Sequence, residues 1–203
     1  MRPSFGKARL VDPSRGNPRT DLDNSQQHDI ISSPLCTSIM ASNRYPVYKV
    51  KSHMALPDPH MPPGRFHHAI LVETSKDGSG TLYHVTGDVT TLNGMSYESR
   101  ESPDPAQLEG IYSKELLGYT GSDVHPEQWN ALLASLPTPP QQKASNPRKQ
   151  GRVEPFKEKL GDYEYVFYKD GEEREPLWKC TEWVEWYAIP ALREHGLIQS
   201  SEQ

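Results

Sequence analysis

The sequence predicts an α+β domain: a small antiparallel β-sheet packed on a helix that begins at a cysteine. Three observations carry this. Phe66 to Thr74 is apolar and β-branched enough to read as a strand. Thr81 to Thr86 follows the turn-forming run Ser75-Lys76-Asp77-Gly78-Ser79-Gly80, as a hairpin partner does. Cys180 to His195 sets Val184, Tyr187, Ala188, Ala191 and Leu192 on one helical face.

The remaining elements follow in chain order. Residues 1–43 are polar, rich in Ser, Pro, Asn, Asp and Arg, and without a sustained period, so they read as a disordered tail. Met40 stands just ahead of the first patterned segment and is a candidate alternative start. A single domain is expected over 44–198, with a short tail at 199–203. Tyr45 to Val50 alternates weakly as a strand, and Pro57 to Gly64 is a stiff proline-rich loop. Tyr97 to Glu109 reads as loop and Ile111 to Tyr119 as a strand. Pro126 suits a helix start, with Trp129, Leu132, Leu133 and Leu136 at helical spacing. Pro137-Thr138-Pro139-Pro140 ends that helix. Residues 141–152 are polar and basic and read as a mobile insertion beside the cleft. Tyr163 to Tyr168 alternates as a strand, with Asp170-Gly171 as a turn. Pro190 lacks the N–H that would bond the carbonyl of Trp186, so the last helix should kink or restart there. Gly196 ends it.

Composition excludes several functions. The formal net charge is -5 and no basic run occurs, which argues against nucleic-acid binding. No apolar run approaches the length of a transmembrane helix, and no secretory signal is evident. Two cysteines, Cys36 and Cys180, make no disulfide framework, and a reducing, cytoplasmic setting is expected.

The chemistry concentrates on a few side chains. Cys180 stands where unpaired backbone N–H groups of a helix start stabilise a thiolate. His67 shares a strand face with Ala69 and Leu71, while His68 shares the other with Phe66, Ile70 and Val72. The small Ala69 leaves room beside His67 for the start of a packed helix. His84 lies on the partner strand and is the residue expected to orient His67. Register decides whether it can. A turn centred on Asp77-Gly78 sets His67 opposite Asp88 and leaves His84 about 13 Å along the strand. Asp88 is then the alternative third member. A turn centred on Ser75-Lys76, or a bulge, brings His67 to His84. Trp178 and Trp183 are candidates for an aromatic substrate wall, with His68 beside them. Close-spaced ligand pairs are absent, so no metal is expected, and no cofactor motif occurs.

At these residues the chain resembles the circularly permuted papain-like thiol hydrolases and acyltransferases, the group of lecithin:retinol acyltransferase. His67-His68-Ala69-Ile70 is similar to the strand that carries that group's base. Leu82-Tyr83-His84-Val85 is similar to the strand with the orienting polar residue, and Lys179-Cys180-Thr181-Glu182-Trp183-Val184 to the nucleophile at a helix start. The overall pattern is also similar to uncharacterised fungal proteins of this broad type. The group usually carries Asn where this chain has Lys179, and the acyltransferases end in a hydrophobic anchor where this chain ends in polar residues. The resemblance implies a permuted papain-like fold with Cys180 as nucleophile, His67 as base and His84 as its orienting partner. The expected function is a soluble cysteine-dependent hydrolase or acyl transferase acting on an ester, thioester or amide. The alternative is an inactive member of the same fold that binds a protein partner.

Overall fold

A computed structural model describes residues 43–54 and 58–200. The expected tail up to residue 42, with Cys36 and Met40, lies outside the described residues, as do Ser201 to Gln203.

The main sheet has five antiparallel strands in the order β4-β3-β2-β1-β5. They are β1 (Arg44–His53), β2 (Phe66–Glu73), β3 (Gly80–Gly87), β4 (Met95–Ser102) and β5 (Ile111–Gly121). β4 corrects the reading of Tyr97 to Glu109 as loop. Its residues are mostly polar because only one face is covered, and it is the edge strand. A second sheet of β6 (Lys143–Asn146), β7 (Arg152–Gly161) and β8 (Glu164–Phe167) lies against the chain after β3. The N–H of Lys143 donates to the Val89 carbonyl at 3.1 Å, and the Gln141 side chain reaches the Thr90 carbonyl at 3.2 Å.

One face of the main sheet is covered by helices. α1 (Glu127–Ser135) contributes Trp129 and Leu133. The Cys180 helix contributes Trp183, Val184, Ala188, Ile189 and Leu192 against Ile70, Val72, Tyr83 and Val85. Full burial of an aliphatic or aromatic side chain is worth about 1.5–3 kcal/mol, so this layer is the main stabilising core. The opposite face carries a smaller cluster, Val50, Ala69, Leu71 and Leu82, under the segment that joins β4 to β5. Strand alternation accounts for the split: odd residues of β2 face one way and even residues the other.

The last helix is continuous but changes pitch. α2 (Cys180–Glu182) leads into a π-helical stretch (Trp183–Ala188) and then α3 (Ile189–Glu194). Pro190 explains the change. It withdraws a donor, and the turn before it widens so that the N–H of Ile189 reaches the Val184 carbonyl. The expected restart therefore takes the form of a π segment. After it, Gln199 forms a two-way backbone bridge with Tyr119 at 2.8 and 2.9 Å, so the expected tail is partly tied to β5.

Gly94 is the tightest turn position bearing on this architecture. Its φ is +69°, and a Cβ there would lie 2.2 Å from the Pro139 carbonyl oxygen. That carbonyl accepts the Met95 N–H at 2.8 Å, which joins β4 to the end of the α1 segment. Gly94→Ala adds left-handed strain to a backbone clash, and we expect it to cost about 2–3 kcal/mol in urea unfolding. An unchanged midpoint would show that the turn is not a constraint.

Candidate functional site

The start of the Cys180 helix is fixed by buried charges. The Asp58 carboxylate accepts from the Lys143 ammonium at 2.8 Å and from the Lys179 ammonium at 2.6 Å. Burial alone would raise the Asp58 pKa, but the two lysines and the His60 N–H hold it well below the usual carboxylate range. One turn on, Glu182 grips Arg65 with both oxygens, at 2.6 and 2.8 Å, and accepts the Lys179 N–H at 2.8 Å. Gln142 uses both ends of its amide on the backbone of Trp178, donating at 2.7 Å and accepting at 3.0 Å. Residues 141–152, expected as a mobile insertion, are thus strand and turn whose buried members pin the approach to Cys180. Charge and polarity alone suggested solvent. The sequence does not reveal that Lys143 and Gln142 find partners in Asp58 and Trp178.

Cys180 is a buried free thiol. The backbone N–H groups of His68 and Thr181 are directed at its sulfur and favour the thiolate, but burial outweighs them and pushes its pKa up. The Thr181 hydroxyl donates to the Phe66 carbonyl at 3.3 Å, which seats the helix start on the first residues of β2.

The two candidate strand histidines meet. His67 Nε2 and His84 Nδ1 are 3.0 Å apart, with ring planes near perpendicular at 84°. The register lies between the two sequence alternatives. Glu73 pairs with Gly80 and Ile70 with Tyr83, so one further step sets Ala69 opposite His84. His67 is then a diagonal same-face neighbour of His84, within reach of two imidazoles. The β2–β3 ladder stops at Ile70, and the histidine pair spans the opening beyond it. Asp88 is elsewhere. Its carboxylate accepts the Thr90 N–H at 2.8 Å in the turn after β3. It does not orient His67.

The helix lies on the other side of β2 from the one expected. It packs on the face of Ile70 and Val72, whereas His67 shares its face with Ala69. Cys180 and His67 are not hydrogen-bonded among the described residues, although the thiol rests against the peptide that follows His67. His68 lies on the helix side, with Nδ1 3.4 Å from the Glu185 carboxylate. Trp183 is fully buried in the core. Trp178 is half-buried, stacks on Tyr187 at 5.2 Å and lines a cleft of about 520 Å³ with Arg65, Glu182 and Trp186.

Glu98 is a residue that sequence reasoning missed. It stands opposite His84 on β4, with Oε1 3.7 Å from His84 Nε2. That separation is long for a hydrogen bond, yet the charge selects the tautomer. A proton on His84 Nε2 faces the carboxylate, leaving Nδ1 as acceptor for His67 Nε2–H. His67 Nδ1 then carries a free lone pair. The opposite arrangement points a lone pair at a carboxylate. The signal was absent from the sequence because Tyr97 to Glu109 did not read as a strand.

Burial pushes His67 down from 6.5 to about 4, helped by the neighbouring His84 and His68. His125, which bonds Tyr83 Oη at 2.7 Å inside the core, is also pushed down to about 4 by burial. Both are neutral in the folded chain, whereas the unfolded chain protonates them near pH 6.5. Their contribution is complete above about pH 6.5 and is lost as pH falls toward 4. The urea midpoint should therefore drop between pH 7 and 5. A midpoint that is flat over that range would contradict the burial of both rings.

No group of His, Cys, Asp or Glu among the described residues is arranged to hold a metal ion, and no described helix is long and apolar enough to cross a membrane. No curated protein matches the chain. No solved structure matches it either. A family model does match, over residues 54–199, and it covers every strand of both sheets except β1, together with the histidine pair and Cys180. The chain belongs to that family, DUF6540, a family of unknown function.

Proposed function

We propose that this protein is a cysteine-dependent hydrolase or acyl transferase, acting on an ester, thioester or amide with Cys180 as nucleophile and His67 as general base. The observation that carries the reading is the His67 Nε2–His84 Nδ1 contact of 3.0 Å, which together with Glu98 leaves Nδ1 of His67 as a lone pair. A base oriented by a second polar group is the logic of a nucleophile triad. The permuted papain-like fold suggested by the residue pattern belongs to the same proposal.

The steps follow from that tautomer. Cys180 Sγ attacks the carbonyl carbon while its proton passes to His67 Nδ1. The oxyanion is held by backbone N–H groups at the helix start, that of Cys180 first among them. Collapse expels the alcohol, thiol or amine, which takes the proton back from His67, and leaves a thioester on Cys180. Water, an amine or a hydroxyl then attacks the thioester, gives its proton to His67, and the thiol is restored. The proton must cross the β2 backbone. The β2–β3 ladder ends at Ile70, and the route for the proton runs through that opening.

A second reading is favoured by a specific observation. Burial raises the Cys180 pKa and lowers that of His67, which is the reverse of a thiolate–imidazolium pair. An inactive protein-binding member of the fold fits that electrostatics without further change.

Activity separates the two. In a Cys36→Ser background, the catalytic reading expects Cys180→Ala to abolish ester or thioester turnover without unfolding. His67→Gln should lower kcat at least about 100-fold. The acid limb of kcat/KM should lie near pH 4, because His67 stays neutral down to there. Glu98→Gln should lower kcat more than it changes KM, with its melting temperature nearly kept because the Glu98 side chain is 41% exposed. Turnover that survives Cys180→Ala, or no turnover on esters, thioesters and amides, would sink the catalytic reading and leave binding.

A further inference from the structure

The face of the main sheet away from the helices holds a cavity of about 280 Å³. Its walls are Val50, Ala69, Leu82 and Ile111 from the strands, and Leu108 from the segment joining β4 to β5. His67 and His84 also line it, with Ser52, Ser102, Arg100 and Glu109, so an apolar floor carries several polar groups, the paired rings among them. The segment over it is anchored. Pro105–Gln107 forms a 3₁₀ turn capped by the Asp104 carboxylate, which also accepts from the Lys114 ammonium at 3.1 Å. Lys114 in turn donates to Glu73 at 2.7 Å. A wall held by two carboxylates and a lysine is a built enclosure rather than a loose flap.

A cavity with apolar walls and a few convergent polar atoms is the usual form of a small-molecule site. Its volume corresponds to about nine water-sized groups. Two further facts narrow the occupant. His84 Nε2 is buried without a hydrogen-bond partner, and His67 Nδ1 has none among the described residues. Both rings are held neutral by burial, so they offer hydrogen bonds without charge. At the rim, Arg100 is offset by Glu98 at 3.6 Å, and Glu109 adds a further carboxylate.

We infer that this cavity binds a small neutral molecule with an apolar body of about nine heavy atoms or fewer and one hydroxyl or amide group, which bonds the His67–His84 pair. The site shares His67 with the thiol reading but not Cys180, which does not line it. An amide or hydroxyl suits the pair because each can both donate and accept. A carboxylate would have to give up its hydration for two neutral rings.

The test is NMR titration of the full chain with hexanamide and, separately, with hexanoate, following the ring protons of His67 and His84. Hexanamide should shift both sets saturably, and hexanoate at least about tenfold more weakly. Ala69→Val, which fills the floor beside His67, should weaken hexanamide binding, and so should Leu108→Ala, which removes the outer wall. Leu108 is exposed, so that variant keeps the fold and remains informative even if Ala69→Val does not fold. Cys180→Ala should bind hexanamide as wild type does. The inference is overturned if neither ring responds, if hexanoate binds as tightly as hexanamide, or if Leu108→Ala and a folded Ala69→Val leave binding unchanged. Because Cys180→Ala is expected to bind normally, absence of turnover in the wild type bears only on the thiol reading.

Discussion

The seating of one helix start on one strand organises this molecule, and Asp58 is the group that holds it. The carboxylate lies between Lys143 and Lys179, with 9% of its side-chain surface exposed, and so joins the proline-rich segment after β1, strand β6 and the residue before Cys180. Removing one partner from a buried charge set leaves the others uncompensated, typically at about 3–5 kcal/mol. Glu182 and Arg65 repeat the device one turn later. Together these contacts put the Cys180 sulfur against the N–H of His68, where the helix dipole and the start of β2 converge. Lys179, which departs from the asparagine of the papain-like pattern, has a clear task here as an arm to Asp58.

The same seating separates the thiol from the histidines that the sequence assigns to it. A strand offers its side chains alternately to two faces, so the helix must choose either the His67 or the His68 side. It takes the side of Ile70 and Val72, where large apolar side chains meet Trp183, Val184 and Ala188. Ala69 and His67 are left facing the cavity. The site is therefore split by the backbone of β2, and the β2–β3 ladder opens beyond Ile70. Local burial then sets the charges, favouring a neutral thiol and neutral imidazoles at rest.

Much of this was legible in the residues. The apolar run of β2 and the turn residues before β3 gave the hairpin, the apolar stripe after Cys180 gave the helix, and Pro190 announced the change of pitch. The meeting of His67 with His84 was one of the two registers considered, although the actual pairing falls between them because the connection is a six-residue loop over 74–79. Two segments were not legible as strands for a shared reason. β4 and the 141–152 segment are polar in sequence, and their order comes from partners distant in the chain: His84 for Glu98, Asp58 for Lys143, Trp178 for Gln142. Trp183 and Trp178 look alike in sequence, yet one lies in the core and the other beside a cleft, and only packing decides which.

In the proposed site, Glu98 and His84 hold His67 with its Nδ1 unprotonated and its Nε2 bearing the proton. Nitrogen-15 NMR of the histidine rings reads this directly. The account predicts, at pH 7, a pyridine-like shift for Nδ1 of His67 and a pyrrole-like shift for its Nε2, with the same tautomer in His84, and movement toward a mixture in Glu98→Gln. A pyrrole-like Nδ1 on His67 in the wild type would remove the base and contradict the account.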